Sequence, residues 1–343
     1  MSPGFELRFL DVVNFGALYA FAASARRSWF ERHPEARRRL VQPVISVGNL
    51  SVGGTGKTPL VMALAEWLMA EGERPAVLSR GYRRSDPVDG VVVVSDVAAV
   101  RAALSRAGDE PLMIARAVPR AIVCVAEDRY LAGVLAERRL GATVHLLDDG
   151  FQHVQLARDF DILVTSPGEI TGGKPLPVGR LRESRAAAAR ADFVVVVDGD
   201  TDAARTEAWE LGISGFASAR RKIAGAQGAQ SAQGASGAVA VAGIGRPEQF
   251  FALLREAGYQ LADTMSFADH HQYNARDVAR IEAAARRAGE AVVLTTEKDA
   301  VRFEPLGALP FTLTPIPMRL EVDGWDALTA SLDAALRRAR GQA

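Results

Sequence analysis

The stretch "SVGNLSVGGTGKTPLV", Ser46–Val61, places a glycine-rich turn between an apolar strand pattern and a helical pattern. We expect a strand over "PVISVGN" and a helix from Pro59 to about Ala70, because proline is well tolerated in the first turn of a helix. Glycines let backbone N–H groups turn inward around phosphate oxygens, and the helix start adds partial positive charge. The complete "GGTGKT" in this context predicts a phosphate-binding loop.

A loop of this kind indicates a nucleoside triphosphate bound together with a metal ion. Lys57 is expected to reach the β- and γ-phosphates, and Thr58 to ligate Mg²⁺. The common pattern has a glycine six positions before the lysine, where this chain has Ser51. A strand–helix turn without a ligand is the alternative, which the full motif disfavours. The predicted nucleotide-binding residues of the loop are Gly53, Gly54, Thr55, Gly56, Lys57 and Thr58.

A second acidic element follows the apolar run in "TVHLLDDGFQH". Asp148 and Asp149 stand where that strand is expected to end, and the carboxyl ends of parallel strands face the crevice in which nucleotides bind. Either carboxylate could ligate Mg²⁺ directly or through water. A solvated turn is the alternative, and Gly150 would suit it equally well.

Strand and helix patterns alternate along most of the chain, which predicts an α/β fold with a parallel sheet covered by helices, as in P-loop NTPases. Most strand candidates lack polar alternation, so both of their faces are expected to be buried. These candidates are "PAVLSRG", "GVVVVSD", "AIVCVAE", "TVHLLDD", "FDILVTS" and "DFVVVVD".

The pattern breaks in "AGAQGAQSAQGASGA", a low-complexity stretch that is typical of a linker or surface insertion. A second, smaller α/β domain is expected after it, and its last elements are candidates to return to the first domain. The predicted segments are an N-terminal helix at 1–30, a nucleotide-binding domain at 31–222, the linker at 223–237 and the smaller domain at 238–343.

Composition excludes several classes of protein. Lys+Arg and Asp+Glu are both 41, so the basic excess typical of bulk nucleic-acid binding is missing, and no nucleic-acid partner is expected. The single cysteine, Cys124, rules out a disulfide framework or a cysteine-based zinc site. We expect it to be a buried strand residue.

The N-terminal stretch Phe5–Phe30 is rich in aromatic and aliphatic residues and is followed by a basic run. Asp11 and Asn14 interrupt it, which argues against a transmembrane helix, and no positive region precedes it as in a signal peptide. Two alternatives remain. One is an amphipathic helix lying in the interface of an anionic membrane, and the other is a helix packed on the protein's own core.

Three classes of nucleotide-binding protein fit these motifs: small-molecule kinases, switch GTPases and partition-type ATPases that act through partners. The segment "TTEKDA" has the wrong Lys–Asp spacing for a guanine-reading element. Partition-type ATPases have a signature lysine where Val52 stands here. The residues therefore favour a kinase, with a partner-regulated ATPase without a lipid substrate as the alternative.

Eight motifs occur in one order from about Gly48 to Phe303: "NLSVGGTGKTP", "SRGY", "GDEPLM", "DDGFQH", "LPVGRLRE", "AGIGRPEQF", "DHHQY" and "TEKDAVRF". Together they closely resemble the tetraacyldisaccharide 4'-kinase family of lipid A biosynthesis. The resemblance implies transfer of the γ-phosphate of ATP to the 4'-hydroxyl of tetraacyldisaccharide 1-phosphate, with Mg²⁺ as cofactor. It also implies a location at the cytoplasmic face of the bacterial inner membrane, whose surface would be a partner, and so favours an amphipathic, membrane-associated helix at 1–30 over a helix packed on the core. No protein partner is evident.

The resemblance also implies roles for individual residues. Asp109 in "GDEP" matches the catalytic base and His270 in "DHH" the histidine that supports it, and together with Lys57 they form the expected catalytic set. From the residues alone, Asp109 could instead cap the helix entered at Pro111, and His270 could be a loop histidine bonded to backbone.

Further positions carry over with the motifs. Asp148 and Asp149 match a magnesium-binding pair, Glu183 in "LRE" matches a further acidic residue at the metal, and Arg80 of "SRGY" is a candidate anion contact beside Tyr82. Arg180 stands where proline is commoner in the family. Candidates for contacting the 1-phosphate are Lys174, Arg83 and Arg182.

Overall fold

A computed structural model describes residues 23–82, 84–224, 237–289 and 292–341 of the chain. Most of the predicted N-terminal helix, most of the low-complexity segment and Arg83 therefore lie outside the described residues. None of the helices within those ranges has the length and apolarity needed to span a bilayer.

The elements are labelled in chain order. The strands are β1 (Val44–Gly48), β2 (Pro75–Ser79), β3 (Val92–Ser95), β4 (Ile122–Val125), β5 (Val144–Asp148), β6 (Phe160–Thr165), β7 (Phe193–Val197), β8 (Gly215–Ile223), β9 (Ala238–Ala242), β10 (Leu261–Ser266), β11 (Val293–Thr296), β12 (Leu313–Ile316) and β13 (Met318–Asp323). The α-helices are α1 (residues 23–32), α2 (Lys57–Ala70), α3 (Leu104–Ala107), α4 (Asp109–Ala117), α5 (Arg129–Leu135), α6 (Thr201–Leu211), α7 (Pro247–Glu256), α8 (Ala275–Arg287), α9 (Glu297–Phe303) and α10 (Trp325–Ala339).

The chain divides into two compact units. The first comprises the described residues up to Arg80, Ala126–Arg220 and the residues from Glu321 onward, and the second comprises Gly81–Val125 and Arg221–Leu320. The boundaries drawn from sequence differ from these, because they kept residues 81–125 in the first domain. Strand–helix alternation continues through Arg80 without a change in composition. The sequence therefore does not indicate that the chain passes from the first unit to the second after Arg80.

The first unit is built on a parallel sheet in which the strands run in the order β8, β7, β6, β1, β5, β2. Every residue of β1 and of β5 is buried, which explains why these strands read as apolar runs without alternation. Val47 in β1 is in register with Asp148 in β5, so the loop after β1 and the acidic pair lie at the same edge of the sheet.

Helix α2 starts at Lys57, two residues earlier than the sequence predicts. Its N-cap is Gly56, which has a left-handed backbone (φ 95°) and offers no capping side chain. The buried residues of the helix include Leu60, Val61, Leu64 and Leu68, and the helix packs against β1, β2 and β5.

The second unit has a parallel four-stranded sheet in the order β10, β9, β11, β12 and an antiparallel pair, β3 and β4. Cys124 is buried in β4, as predicted. Asn274 begins α8 with a capping box: its side chain accepts from the backbone N–H of Asp277, and the Asp277 carboxylate accepts from the N–H of Asn274. The predicted α/β fold class is confirmed, and the short polar helix α9 is an element that the sequence patterns did not reveal.

Candidate active site

The loop after β1 adopts a backbone that only glycine takes up easily. Gly53 and Gly56 have φ angles of 122° and 95°, in the left-handed region where a side chain is strained. A Cβ on Gly53 would lie 2.3 Å from Nη2 of Arg180, and that nitrogen donates to the carbonyl of Val52 at 2.5 Å. Arg180, at the position where proline is commoner in the resembled family, therefore braces the loop.

Side chains close the loop from inside. Asn49 Nδ2 donates to the hydroxyls of Thr55 and Ser51 at 3.1 and 3.3 Å. Gln152 Nε2 donates to the Asn49 carbonyl at 2.8 Å and ties the loop to the turn after the acidic pair. Ser51, which departs from the usual glycine, is thus buried and hydrogen-bonded.

The structure brings the predicted cation and one predicted carboxylate together. Lys57 Nζ lies 3.3 Å from Asp149 Oδ1, and Arg182 Nη1 lies 2.9 Å from Asp149 Oδ2. Burial raises the pKa of Asp149, but the positive charges of Lys57 and Arg182 outweigh it and lower the pKa to about 2. Asp149 is therefore a carboxylate at neutral pH, beside the buried Asp148 at the end of β5.

Two further predicted residues lie at the same edge of the sheet. Thr58 follows Lys57 in the first turn of α2 and is half-buried. Arg80 follows β2, which pairs with β5, and is exposed. Its contact with an anion stays a prediction.

The sequence patterns missed Arg129, the first residue of α5. Its side chain is buried, and Nη1 donates to the Glu127 carbonyl at 3.3 Å. Desolvation and the charge of Arg80 lower the pKa of Arg129 to about 10, while the charges of Asp149 and Asp148 oppose that shift. A buried cation near the acidic pair has no local signature, because "EDRY" reads as an ordinary helix start.

Glu183, predicted to contact the metal, is held by an arginine. It is almost fully buried, and both carboxylate oxygens accept from Arg27 of α1, one of them at 2.9 Å. Arg27 also donates to the Phe151 carbonyl at 2.8 Å, and its guanidinium lies over the Phe151 ring at 4.8 Å. The metal role of Glu183 stays a prediction, since these contacts give its carboxylate a cationic partner within the protein.

The second unit holds the predicted catalytic pair. His270 Nδ1 lies 2.8 Å from Asp109 Oδ2, and His270 has a left-handed backbone (φ 62°) of the kind that clusters at functional sites. Helix α4 begins at Asp109 with Gly108 as its N-cap and no side-chain cap bond, so the capping interpretation of Asp109 is wrong.

The guanidinium of Arg302 contacts the carboxylate of this pair. Arg302 Nε donates to Asp109 Oδ2 at 2.8 Å, and Arg302 Nη2 lies 2.6 Å from the same oxygen. Burial raises the pKa of Asp109, while the hydrogen bond from His270 and the charge of Arg302 hold it below its ordinary value. Asp109 is therefore ionised and able to accept a proton from a substrate hydroxyl as that hydroxyl reacts.

Ligand atoms of Asp109, Glu110 and His270 lie within 4.8 Å of one another, close enough to share a metal ion. Lys298 Nζ, however, lies 2.6 Å from Glu110 Oε1, and Arg302 bonds Asp109. These two cations already balance the carboxylates, so we assign no metal here.

Comparison with known proteins decides the family. The sequence profile described as Tetraacyldisaccharide-1-P 4'-kinase matches residues 10–337. The chain belongs to this 4'-kinase family. A tetraacyldisaccharide 4'-kinase from Geobacter metallireducens is 44% identical over 281 residues, which cover 78% of this chain and 81% of that protein. One from Methylobacterium sp. is 40% identical over 340 residues, covering 99% and 96%.

The fold of the 4'-kinase family is also known from a solved structure. The crystal structure of LpxK from Aquifex aeolicus in complex with ATP superposes with a TM-score of 0.75 at 27% identity, covering 95% of this chain and 98% of that one. The predicted family, fold class and enzyme class are confirmed, and the partition-type alternative has no support. The roles of individual residues stay predictions.

Proposed function

We propose that this member of the 4'-kinase family transfers the γ-phosphate of ATP to the 4'-hydroxyl of tetraacyldisaccharide 1-phosphate. The observation that carries the proposal is the 2.8 Å contact between His270 and Asp109 in the second unit. A phosphate-binding loop alone indicates nucleotide binding, whereas an oriented, ionised carboxylate adds a base for an alcohol acceptor.

The residues of the loop suit the phosphates of ATP. Lys57 would exchange part of its contact with Asp149 for the β- and γ-phosphate oxygens, and the N–H groups around Gly53 and Gly56 would bind further oxygens. Mg²⁺, when bound, supplies charge neutralisation, and the oxygen atoms of Thr58, Asp148 and Asp149 fit such a hard cation.

Asp109 supplies the proton acceptor. As the 4'-oxygen forms its bond to the γ-phosphorus, its proton passes to Asp109, and the bond to the β–γ bridging oxygen breaks, leaving that electron pair on ADP. His270 keeps the carboxylate oriented through the reaction. The proton then leaves Asp109 to solvent, which restores the base.

The site is tested by following label from γ-labelled ATP into tetraacyldisaccharide 1-phosphate by thin-layer separation. The wild type should label the glycolipid, whereas Lys57→Met and Asp109→Ala should lose most of that label while remaining folded. Asp263→Ala is a matched control, since this carboxylate on β10 is exposed, lies 3.9 Å from Arg287 and accepts from the backbone N–H of Thr264 at 2.8 Å. Label released solely as inorganic phosphate would contradict the proposal.

We also propose that the protein works at the cytoplasmic surface of the inner membrane. Each CH₂ of an acyl chain drawn into water costs about 0.8 kcal/mol, so an enzyme acting on the sugar headgroup is expected to approach the bilayer. The main support is the sequence of residues 5–22, which is rich in aromatic and aliphatic residues and precedes a basic run, as suits an anionic interface. In α1, which follows it, Trp29 is 45% exposed and Arg32 is exposed as well.

Flotation with anionic vesicles tests this location. Removing residues 1–22 leaves Arg27 and its contact with Glu183 in place, so the truncation separates membrane binding from folding. We expect the truncated protein to stay in the soluble fraction and the full chain to float. Equal flotation of both would contradict an N-terminal anchor.

A further inference from the structure

Helix α9 carries two basic side chains that meet the catalytic pair. Lys298 and Arg302 are four residues apart in "TEKDAVRF", so they lie on one face of the helix. Lys298 reaches His270, and Arg302 bonds Asp109 and also lies 3.4 Å from His270 Nδ1. This motif was part of the family resemblance, yet the proposed function gives it no role.

Arg302 contacts only one oxygen of the Asp109 carboxylate. Its Nε and Nη2 lie 2.8 and 2.6 Å from Oδ2, which also receives His270 Nδ1 at 2.8 Å. Across the ranges that the structure describes, no hydrogen bond is made to Oδ1. Three contacts thus saturate one oxygen and leave the other to receive a proton.

The guanidinium is itself immobilised. Its side chain is fully buried, and Nη1 donates to the Gly243 carbonyl at 2.7 Å and to Asp299 Oδ1 at 2.9 Å. Asp299 is fixed in turn by Thr296 Oγ1 at 2.7 Å and Tyr273 OH at 3.2 Å. The planar guanidinium of Arg302 is thus fixed through Nη1, while its Nε and Nη2 hold the Asp109 carboxylate in one orientation.

Lys298 contacts the ring nitrogen of His270 that does not face Asp109. Its Nζ lies 3.4 Å from His270 Nε2, 2.6 Å from Glu110 Oε1 and 3.6 Å from Asp269 Oδ1. The ionised Asp109 carboxylate only accepts, so its 2.8 Å contact puts the proton of a neutral imidazole on Nδ1, although Arg302 Nη2 also lies 3.4 Å from that nitrogen. Nε2 is then the acceptor, and the ammonium group of Lys298, which only donates, favours this tautomer.

We propose that Lys298 and Arg302 are positioning residues that fix the tautomer of His270 and the rotation of Asp109, so that Oδ1 takes the proton from the acceptor hydroxyl. This inference rests on the proposed function for its chemistry. The bonds formed and broken are those given above, and the two basic residues neither gain nor lose a proton.

The test compares Lys298→Met and Arg302→Lys with Arg116→Lys. Arg116 is a matched control because it lies on α4, is exposed and pairs with Glu304 at 3.2 Å, away from Asp109. In the glycolipid assay, kcat of the first two variants should fall about tenfold to a hundredfold, since a misaligned base loses part of its contribution. KM for ATP should stay within about twofold of the wild type.

The pH profile separates positioning from stability. The charges of Lys298 and Arg302 both lower the pKa of Asp109, so removing the Lys298 charge should move the acid limb of kcat to higher pH. Arg116→Lys should leave the limb unchanged. Among the described residues of the second unit, the charged groups that contact Asp109 or His270 are Lys298, Arg302, Glu110 and Asp269, and Asp299 contacts Arg302.

A measurement without turnover completes the test. Nitrogen-15 shifts of His270 should report a proton on Nδ1 in the wild type and a redistribution between the two nitrogens in Lys298→Met. A wild-type proton on Nε2 overturns the inference, as do variants that match Arg116→Lys in kcat and acid limb. If Arg302→Lys unfolds, the Lys298 variant and the wild-type spectrum still decide. A wild type that fails to label glycolipid instead refutes the proposed function.

Discussion

The buried ion pair between Arg27 and Glu183 offers a sharp test of how α1 supports the first unit. The side chains of these residues are 6% and 2% exposed, and Arg27 is the cation that hydrogen-bonds directly to both carboxylate oxygens of Glu183. Arg27→Met would leave Glu183 buried without its cation and would also remove the donor to the Phe151 carbonyl.

Breaking a buried pair from one side costs about 3–5 kcal/mol, because the remaining charge is uncompensated. For a body of 150–250 residues each kcal/mol lowers Tm by ~2–4 °C, so we expect a shift on the order of 10 °C. The double variant Arg27→Met, Glu183→Gln has no buried charge and should recover most of this loss.

Thermal unfolding followed by circular dichroism measures both variants against the wild type. Arg190→Met is a suitable control, because this arginine pairs with Glu31 of α1 and its side chain is 42% exposed, where a pair is worth about 0–1 kcal/mol. A loss below about 1 kcal/mol for Arg27→Met, or a double variant no more stable than the single one, would refute the reasoning.

Three further predictions concern the loop, a helix cap and acid stability. Thr58→Ala should raise the Mg²⁺ concentration needed for half-maximal transfer while Thr58→Ser does not, and identical titrations would remove the metal role. Asn274→Ala should lower the free energy of unfolding in urea by about 1 kcal/mol, because α8 loses its cap, whereas Asn274→Asp should be near neutral. Asp149 has a pKa of about 2, below its ordinary value of about 3.9, so the stability it contributes is complete above about pH 4 and is lost as pH falls toward 2. Asp149→Asn should flatten that part of the pH–stability curve, and an unchanged slope would count against the pairing with Lys57.

The sequence predicted those parts of the protein that depend on local pattern. The loop at Gly53–Thr58 is recognised by its glycine-rich turn, and the buried strand before Asp148 by its run of apolar residues. Both patterns depend on only a few neighbouring residues. The helix start moved only from Pro59 to Lys57, because a left-handed Gly56 rather than proline ends the turn.

Long-range pairings were invisible in the sequence. Arg302 and Asp109 are 193 positions apart, and Arg27 and Glu183 are 156 apart. The residues next to one partner therefore contain no pattern that indicates the other. Helix α9 has seven residues and many charges, too short for a periodic signal. The grouping of residues 81–125 with the second unit likewise depends on tertiary packing, which cannot be predicted from any local sequence pattern.

The central claim divides the work between two groups of residues: the loop with Lys57 binds the nucleotide, and Asp109 removes the proton. It is tested most directly by a single turnover of Asp109→Asn after saturation with Mg-ATP, with ATP affinity measured on the same sample. We predict wild-type affinity for ATP and a transfer rate lower by about 10²–10⁴-fold. Transfer at the wild-type rate, or a loss explained entirely by weaker ATP binding, would contradict the account.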